Sequence, residues 1–403
     1  MKQSQSSISE SYGDSRELAD NILDYGHRPS ACLRQLSTQG YSPYAVMAQI
    51  LEQIRSILIA NLGYELKTPL STIQVTLETV AEVEAVPIVT QKQMLATAWA
   101  DLQQVCSSIQ SFLEFSNQLW CSALNSLLDS RGEENRETYF PICSETQESN
   151  LKQFQFLEQA QSTLVAIVNH ELRTPLATIR VCLESLQDEP ILDRAIRQEF
   201  VDVALLDLDR LRLLIGDLLL LSRLQSGQVY FQIEPVDLKV RLEALLNSIF
   251  QQRQEQNLPR ISFESTSPDT KVWVDGDRLV EVVTRLLDNA YRFTPPEGEV
   301  KVNIWISDQG TQILPSGHFS NESTLKICVS DTGKGIATEE LANIFNCFYQ
   351  EENFLQRTVG GVGVGLTICN YLIQGMGGEI WAESPGKDQG SQFCFTLPVH
   401  RQL

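Results

Sequence analysis

Residues 56–116 overlay residues 162–222 at a constant offset of 106 and without a gap. The first halves agree at Leu58, Glu65, Leu66, Thr68, Pro69, Leu70, Ile73, Val75, Leu77 and Glu78; the second halves agree more thinly, at Asp101, Leu102, Ile109, Leu113 and Ser116. Each copy reads as two helices with a short connection, so the chain carries a duplicated helical hairpin. In the second copy Leu164, Val168, Leu172, Leu176, Ile179, Leu183 and Leu186 follow at steps of four or three, the spacing of one buried stripe. The first copy keeps its own stripe at Leu58, Leu62, Leu66, Leu70, Ile73 and Leu77. A hairpin with one apolar stripe cannot bury it alone, which predicts a four-helix bundle formed as a homodimer through residues 151–226.

The copies differ at one exposed position. His170 lies two residues from both Val168 and Leu172, which at about 100° per residue turns it away from the stripe and toward water. A neutral imidazole is a good nucleophile near pH 7, and the adjacent Glu171 can hold its tautomer and accept its proton. Thr174 lies one turn on, on nearly the same face, and Pro175 leaves the Glu171 carbonyl without a donor, which predicts a bend. In the first copy Tyr64 takes the acceptor position. A phenol with a pKa of about 10 is a poor nucleophile at neutral pH. Gly63 before it weakens the helix by about 1 kcal/mol relative to Ala. The first hairpin is therefore degenerate: it keeps its packing, has lost its chemistry, and docks on the active bundle or on a partner to tune activity.

The layout that follows is a weakly ordered lead-in (1–43), the degenerate hairpin (44–128), a polar linker (129–150), the His170 hairpin (151–226) and a C-terminal domain (227–403). In the last part β-rich runs (VYFQI, RISFES, KVWVD, VKVNIWI, TLKICVS, EIWAES and QFCFTLPV) alternate with helical stretches at 236–253, 276–292 and 363–375. The fold class is thus an all-α hairpin domain followed by an α/β sandwich, with 307–323 as a surface loop. A formal net charge of -20 works against broad binding to nucleic acid or anionic lipid. The nine cysteines are scattered and form no CxxC pair, which suggests neither a disulfide framework nor a zinc site and fits a reducing cytoplasm. No stretch reads as a membrane span.

Four stretches of the C-terminal domain bear on one ligand. In RLLDNAYRFTP a helix presents Asn289 and, one turn later, Phe293, with Arg292 between them; a neutral amide oxygen suits a hydrated Mg2+ that also carries phosphates. DTGKGI, ending in Ile336, follows a strand, where Asp331 can accept from an exocyclic amino group while Gly333 and Gly335 let the backbone turn. IFNCFYQ places Phe345 and Phe348 before a glycine run. GGVGVGL opens a helix, so that free N–H groups beside Gly361, Gly363, Gly365 and Leu366 meet phosphate oxygens.

These boxes, with NHELRTP around His170, resemble those of the two-component sensor histidine kinases over roughly residues 151–400. The resemblance implies a dimerising helical bundle and a gyrase-like (Bergerat) ATP-binding sandwich. It implies autophosphorylation of His170 from Mg-ATP and transfer to an aspartate of a response regulator receiver domain. On that pattern Glu171 is the acid-base partner and Thr174 positions water to dephosphorylate the regulator. Asn289 holds Mg2+, Arg292 touches phosphate, Asp331 reads adenine, and Gly361, Gly363 and Gly365 line a lid. Two departures stand out. Arg285 sits where these kinases have Asn and hydrolytic relatives have Glu, which disfavours a gyrase-type ATPase. Gln350, Glu351 and Glu352 follow the lid aromatics, leaving Arg357 as the nearby cation. The competing reading is a pseudokinase scaffold that binds ATP and a regulator with little activity. If the first hairpin tunes the second, Tyr64→His changes autophosphorylation, partner binding or oligomer size; a protein unchanged by all three measures carries a relic.

Overall fold

The computed structural model describes residues 43–82, 87–134, 170–188, 193–252, 259–266, 270–307, 312–313, 319–320, 324–347, 349 and 363–399. The lead-in, most of the linker, Leu164, Val168, Phe348, Arg357 and Gly361 lie outside them. The chain divides into two compact units, Met1–Ser222 and Arg223–Leu403.

The first unit is helical: α1 (Pro43–Ala81), α2 (Ile88–Glu134), α3 (170–188) and α4 (Arg194–Gln225, its last turn passing into the second unit). Helix continues through both Pro69 and Pro175. Where the structure describes them, the stripes read from the sequence are buried, as are aliphatic residues of α4 that the sequence reading did not single out. Leu66, Leu70, Ile73 and Leu77 on α1, Leu172, Ile179 and Leu183 on α3, and Val201, Leu208 and Leu211 on α4 are all at most 2% exposed. Two helices share a single seam, so burial this complete needs each hairpin to cover the other.

Named contacts cross between them. Arg197 Nη1 donates to Gln91 Oε1 at 3.1 Å. Arg212 donates through Nη2 to Ser71 Oγ at 3.1 Å and through Nη1 to Gln74 Oε1. The Arg180 guanidinium lies over the Trp99 ring, 5.7 Å from its centre. Leu219 packs directly on Gly63, where a Cβ would collide with it. Two hairpins of one chain form a four-helix bundle here.

The second unit holds a mixed five-stranded sheet in the order β2 (Arg260–Ser265), β4 (Glu299–Ser307), β7 (Thr324–Asp331), β9 (Ser391–Pro398), β8 (Ile380–Glu383). Among the described residues of this sheet only the β2–β4 pair is parallel. β1 (Glu234–Asp237) pairs antiparallel with β3 (Lys271–Val274), and the short β5 (Gln312–Ile313) pairs with β6 (Phe319–Ser320). The helices are α5 (Leu238–Gln252), α6 (Gly276–Phe293) and α7 (Gly365–Gly375). Along β4, Val300, Val302 and Ile304 are buried while Lys301 is exposed, the alternation of a sheet with one face covered. On the other face Lys326 Nζ sits 5.4 and 4.8 Å from the ring centres of Trp305 and Trp381.

Three readings from the sequence change. VYFQI (229–233) forms no strand; the segment that finds a neighbour is Glu234–Asp237, because β propensity without a pairing partner does not make a strand. The 307–323 loop contains the β5–β6 pair. Cys328 and Cys394 form a disulfide, being directly opposite in the β7–β9 register although 66 residues apart. No helix among the described residues is long and apolar enough to cross a membrane.

Helix α6 is anchored at its start by Asp275, 8% exposed, whose Oδ1 accepts from the N–H groups of Asp277 and Arg278 while Oδ2 accepts from Gln232 N–H at 3.0 Å. Asp275→Ala removes a cap and orphans a further donor, so thermal unfolding should show a loss of about 1–3 kcal/mol.

Candidate active site

On α3 the His170 side chain is 56% exposed, with Nδ1 3.8 Å from Glu171 Oε1 and Glu171 itself largely covered. That arrangement turns Nδ1 toward a carboxylate. The Thr174 hydroxyl donates to the His170 carbonyl at 3.2 Å, and Thr178 Oγ1 to the Thr174 carbonyl at 3.4 Å. At the counterpart of His170, Tyr64 is 66% exposed, so both copies hold the acceptor position toward water.

Beyond the acceptor, between α3 and α4, lies a groove of about 530 Å³ lined by Ala177, Thr178, Val181, Cys182, Ile196, Glu199, Phe200 and Val203. Burial pushes the Cys182 thiol up and the Asp207 carboxylate adds to it, so the sulfur stays protonated and apolar in character. The same positions of the first hairpin carry Ser71, Thr72, Val75, Thr76, Thr90, Gln93, Met94 and Thr97, a more polar set. The sequence reading missed this groove; comparing the two copies position by position was the signal available.

In the second unit Asn289, half-buried, and the exposed Arg292 and Phe293 form the last turns of α6. Asp331 ends β7, 8% exposed; its Oδ1 accepts from Gly333 N–H at 2.8 Å and its Oδ2 from the Ser391 hydroxyl at 2.5 Å. The turn after it is clamped on both sides. Lys334 N–H donates to the Phe293 carbonyl at 3.2 Å, and Lys334 Nζ lies 4.6 Å from the Phe293 ring centre. From the other side Gly390 N–H donates to the Gly333 carbonyl at 3.0 Å and Asp388 N–H to the Lys334 carbonyl at 2.6 Å. Ser384 Oγ accepts from Ile336 N–H at 3.0 Å and donates to the Gly390 carbonyl at 2.8 Å.

A Cβ at Gly333 would meet the Phe293 carbonyl, and Gly335, at φ +65°, would drive one into the Gly386 carbonyl. Both glycines are thus required by close approach. Phe293, Asp331, Gly333, Gly335 and Ile336 form one connected set around the C-terminal end of α6, and Asn289 lies one turn earlier on that helix. Gly365 and Leu366 open α7, with Gly363 (φ +76°) just before it, and α7 packs on α6, where Cys369 Sγ lies 3.9 Å from the Val282 carbonyl. The first turn of α7 is tied to the 338–347 segment by Thr367 Oγ1, which donates to the Phe345 carbonyl at 3.1 Å.

Arg285 does not stand as a bare cation: its Nη2 lies 2.9 Å from Glu281 Oε1, and Arg278 Nη1 lies 2.8 Å from Glu281 Oε2. Among the described residues no cluster of three or more His, Cys, Asp or Glu side chains could hold a metal alone. A magnesium ion here would be held by the Asn289 amide together with phosphate oxygens, a donor set that suits it.

Residues 160–227 match the family model of the His Kinase A (phospho-acceptor) domain, and residues 274–401 that of the histidine kinase-, DNA gyrase B- and HSP90-like ATPase. The sensor histidine kinase WalK of Bacillus subtilis is 32% identical over 248 residues, 61% of this chain and 38% of that protein. The adaptive-response sensory kinase SasA of a Synechococcus strain is 32% identical over 249 residues, 59% of each. The chain thus spans between 38% and 59% of the length of these two relatives. Among solved structures, that of the Acinetobacter baumannii histidine kinase AdeS aligns over 58% of this chain and 98% of that one, at 24% identity and a TM-score of 0.44.

Gly335→Ala strains a left-handed residue against a backbone oxygen, so a fluorescent nucleotide analogue should bind at least about tenfold more weakly, the equivalent of some 1.4 kcal/mol.

Proposed function

Because the chain carries the paired phospho-acceptor and ATPase domains of the two-component sensor histidine kinases, we propose that it is a protein-histidine kinase acting where ATP is available, in the cytoplasm. It phosphorylates His170 from ATP and passes the phosphoryl group to an aspartate of a response regulator. The observation that carries this is His170 itself: it points to water from a buried bundle and has a carboxylate beside Nδ1.

In the proposed reaction His170 Nε2 attacks the γ-phosphorus, a P–N bond forms as the P–O bond to ADP breaks, and Glu171 accepts the proton from Nδ1. Magnesium, when bound, neutralises charge on the phosphates. Asp331 accepts from the adenine amino group, and its own Oδ1 and Oδ2 are held in place by Gly333 and Ser391. Asn289 and Arg292 take the phosphate side, and the open N–H groups at the start of α7, with Gly363, Gly365 and Leu366, meet phosphate oxygens. Gly361 and Phe348 complete the lid by their place in the sequence. The groove beside His170 receives the regulator: it belongs to the hairpin that has the histidine, and its apolar lining is missing from the hairpin that lacks one.

Thr174 serves the opposing reaction, hydrolysis of the regulator's phosphate. Its hydroxyl is parked on the His170 carbonyl, one turn from the acceptor, and on release can orient a water for attack on the regulator's aspartyl phosphate.

Incubation with [γ-32P]ATP should give an acid-labile label that disappears in His170→Gln. A wild-type chain that binds ATP and regulator without labelling would make it the pseudokinase scaffold, with Arg285 as the first suspect. Thr174→Ala should keep autophosphorylation within about twofold and slow regulator dephosphorylation by tenfold or more, in the range a general acid-base or positioning group supplies.

A further inference from the structure

The contacts between the two hairpins obey a symmetry. Gln91 and Arg197, which bond across the bundle, are each other's counterparts at the 106-residue offset. A residue that touches its own counterpart lies on a two-fold axis, as in a self-complementary dimer interface. A second contact has its counterpart pair to compare across that axis. Gln74 receives Arg212; the counterpart of Gln74 is Arg180, and that of Arg212 is Cys106. Arg180 is near enough to Cys106 for its charge to act on the thiol, which burial pushes up and the guanidinium pulls back down. Gln91 and Arg197 are 6% and 8% exposed, so the pair is sealed from water.

We propose that the Tyr64 hairpin is a built-in second protomer, taking within one chain the place of another His170 hairpin, so that the protein completes its bundle as a monomer with one acceptor. The residue types on the two sides say why a second copy is refused. Two His170 hairpins in this arrangement would set Arg197 against Arg197 and Arg212 against Arg180. The first would be a buried contact between like charges. The Tyr64 hairpin presents neutral Gln91 and Gln74 oxygens at those two places, each an acceptor for the guanidinium opposite. It also presents Gly63 where the His170 hairpin has Asn169, giving Leu219 room to seat. Specificity of this kind rests on repulsion in the wrong pairing as much as attraction in the right one. The inference stands on packing and goes beyond the kinase reading, so its test reads mass and melting rather than activity.

Light scattering of the full chain should give about 45.3 kDa across a hundredfold concentration range. Gln91→Arg, which restores the arginine facing Arg197, should lower the melting midpoint of the helical unit by on the order of 5 °C. Gln91→Glu, which offers Arg197 a carboxylate, should leave it unchanged or raise it. Opposite signs from the two charges support the pairing even where Gln91→Arg folds poorly. A mass near twice that of the chain at low micromolar concentration would overturn the proposal and assign the exposed Leu206 and Leu213 of α4 to a contact between copies. Equal melting of both variants would overturn it too.

Discussion

The helical unit depends on four rows of aliphatic side chains that no single hairpin can cover. Each fully buried leucine or isoleucine contributes about 1.5–3 kcal/mol relative to exposure. That drive decides that the hairpins associate, and also where the acceptor points: with the stripe turned inward, a residue two positions from a stripe residue is carried outward. The exposure of His170 and of Tyr64 is therefore a by-product of core packing. Polar contacts such as Gln91 with Arg197 contribute less, and what they add is the choice of partner.

The period of the stripes, the offset between copies and the helical hairpins were all legible along the chain, because they are local regularities. The partner of the stripe was not. Its signature is a handful of side chains far apart in sequence, such as Arg212 with Ser71 and Arg180 with Trp99, and each is unremarkable until the helices are side by side. The same limit explains Cys328 and Cys394, whose register across β7 and β9 no spacing rule reports. VYFQI shows the converse: a run of strand-forming residues stayed out of the sheet for want of a neighbour.

For the nucleotide side, the motif residues could be picked out because each glycine and carboxylate carries a chemical reason at its place. What holds them was hidden. The turn at Gly333 and Gly335 is braced by Ser384, Gly386, Asp388 and Gly390, from a loop that reads as an ordinary connection. Arg285 was visible as a departure, but its meaning depends on Glu281, one turn earlier, which accepts from Arg278 and Arg285 and so turns both cations back onto the helix. Position four residues before Asn289 is thereby occupied by a guanidinium that shares one carboxylate with a second arginine, and this is a different electrostatic setting from either an amide or a catalytic carboxylate.

The phenol at position 64 has a numerical consequence. Steep, sigmoidal responses arise when two equivalent sites sense each other's occupancy. A bundle with an imidazole on one side and a phenol on the other has nothing for such coupling to act between. On the proposed single-acceptor bundle, loading follows a plain hyperbola in ATP, and a threshold in the proposed signalling has to be built downstream.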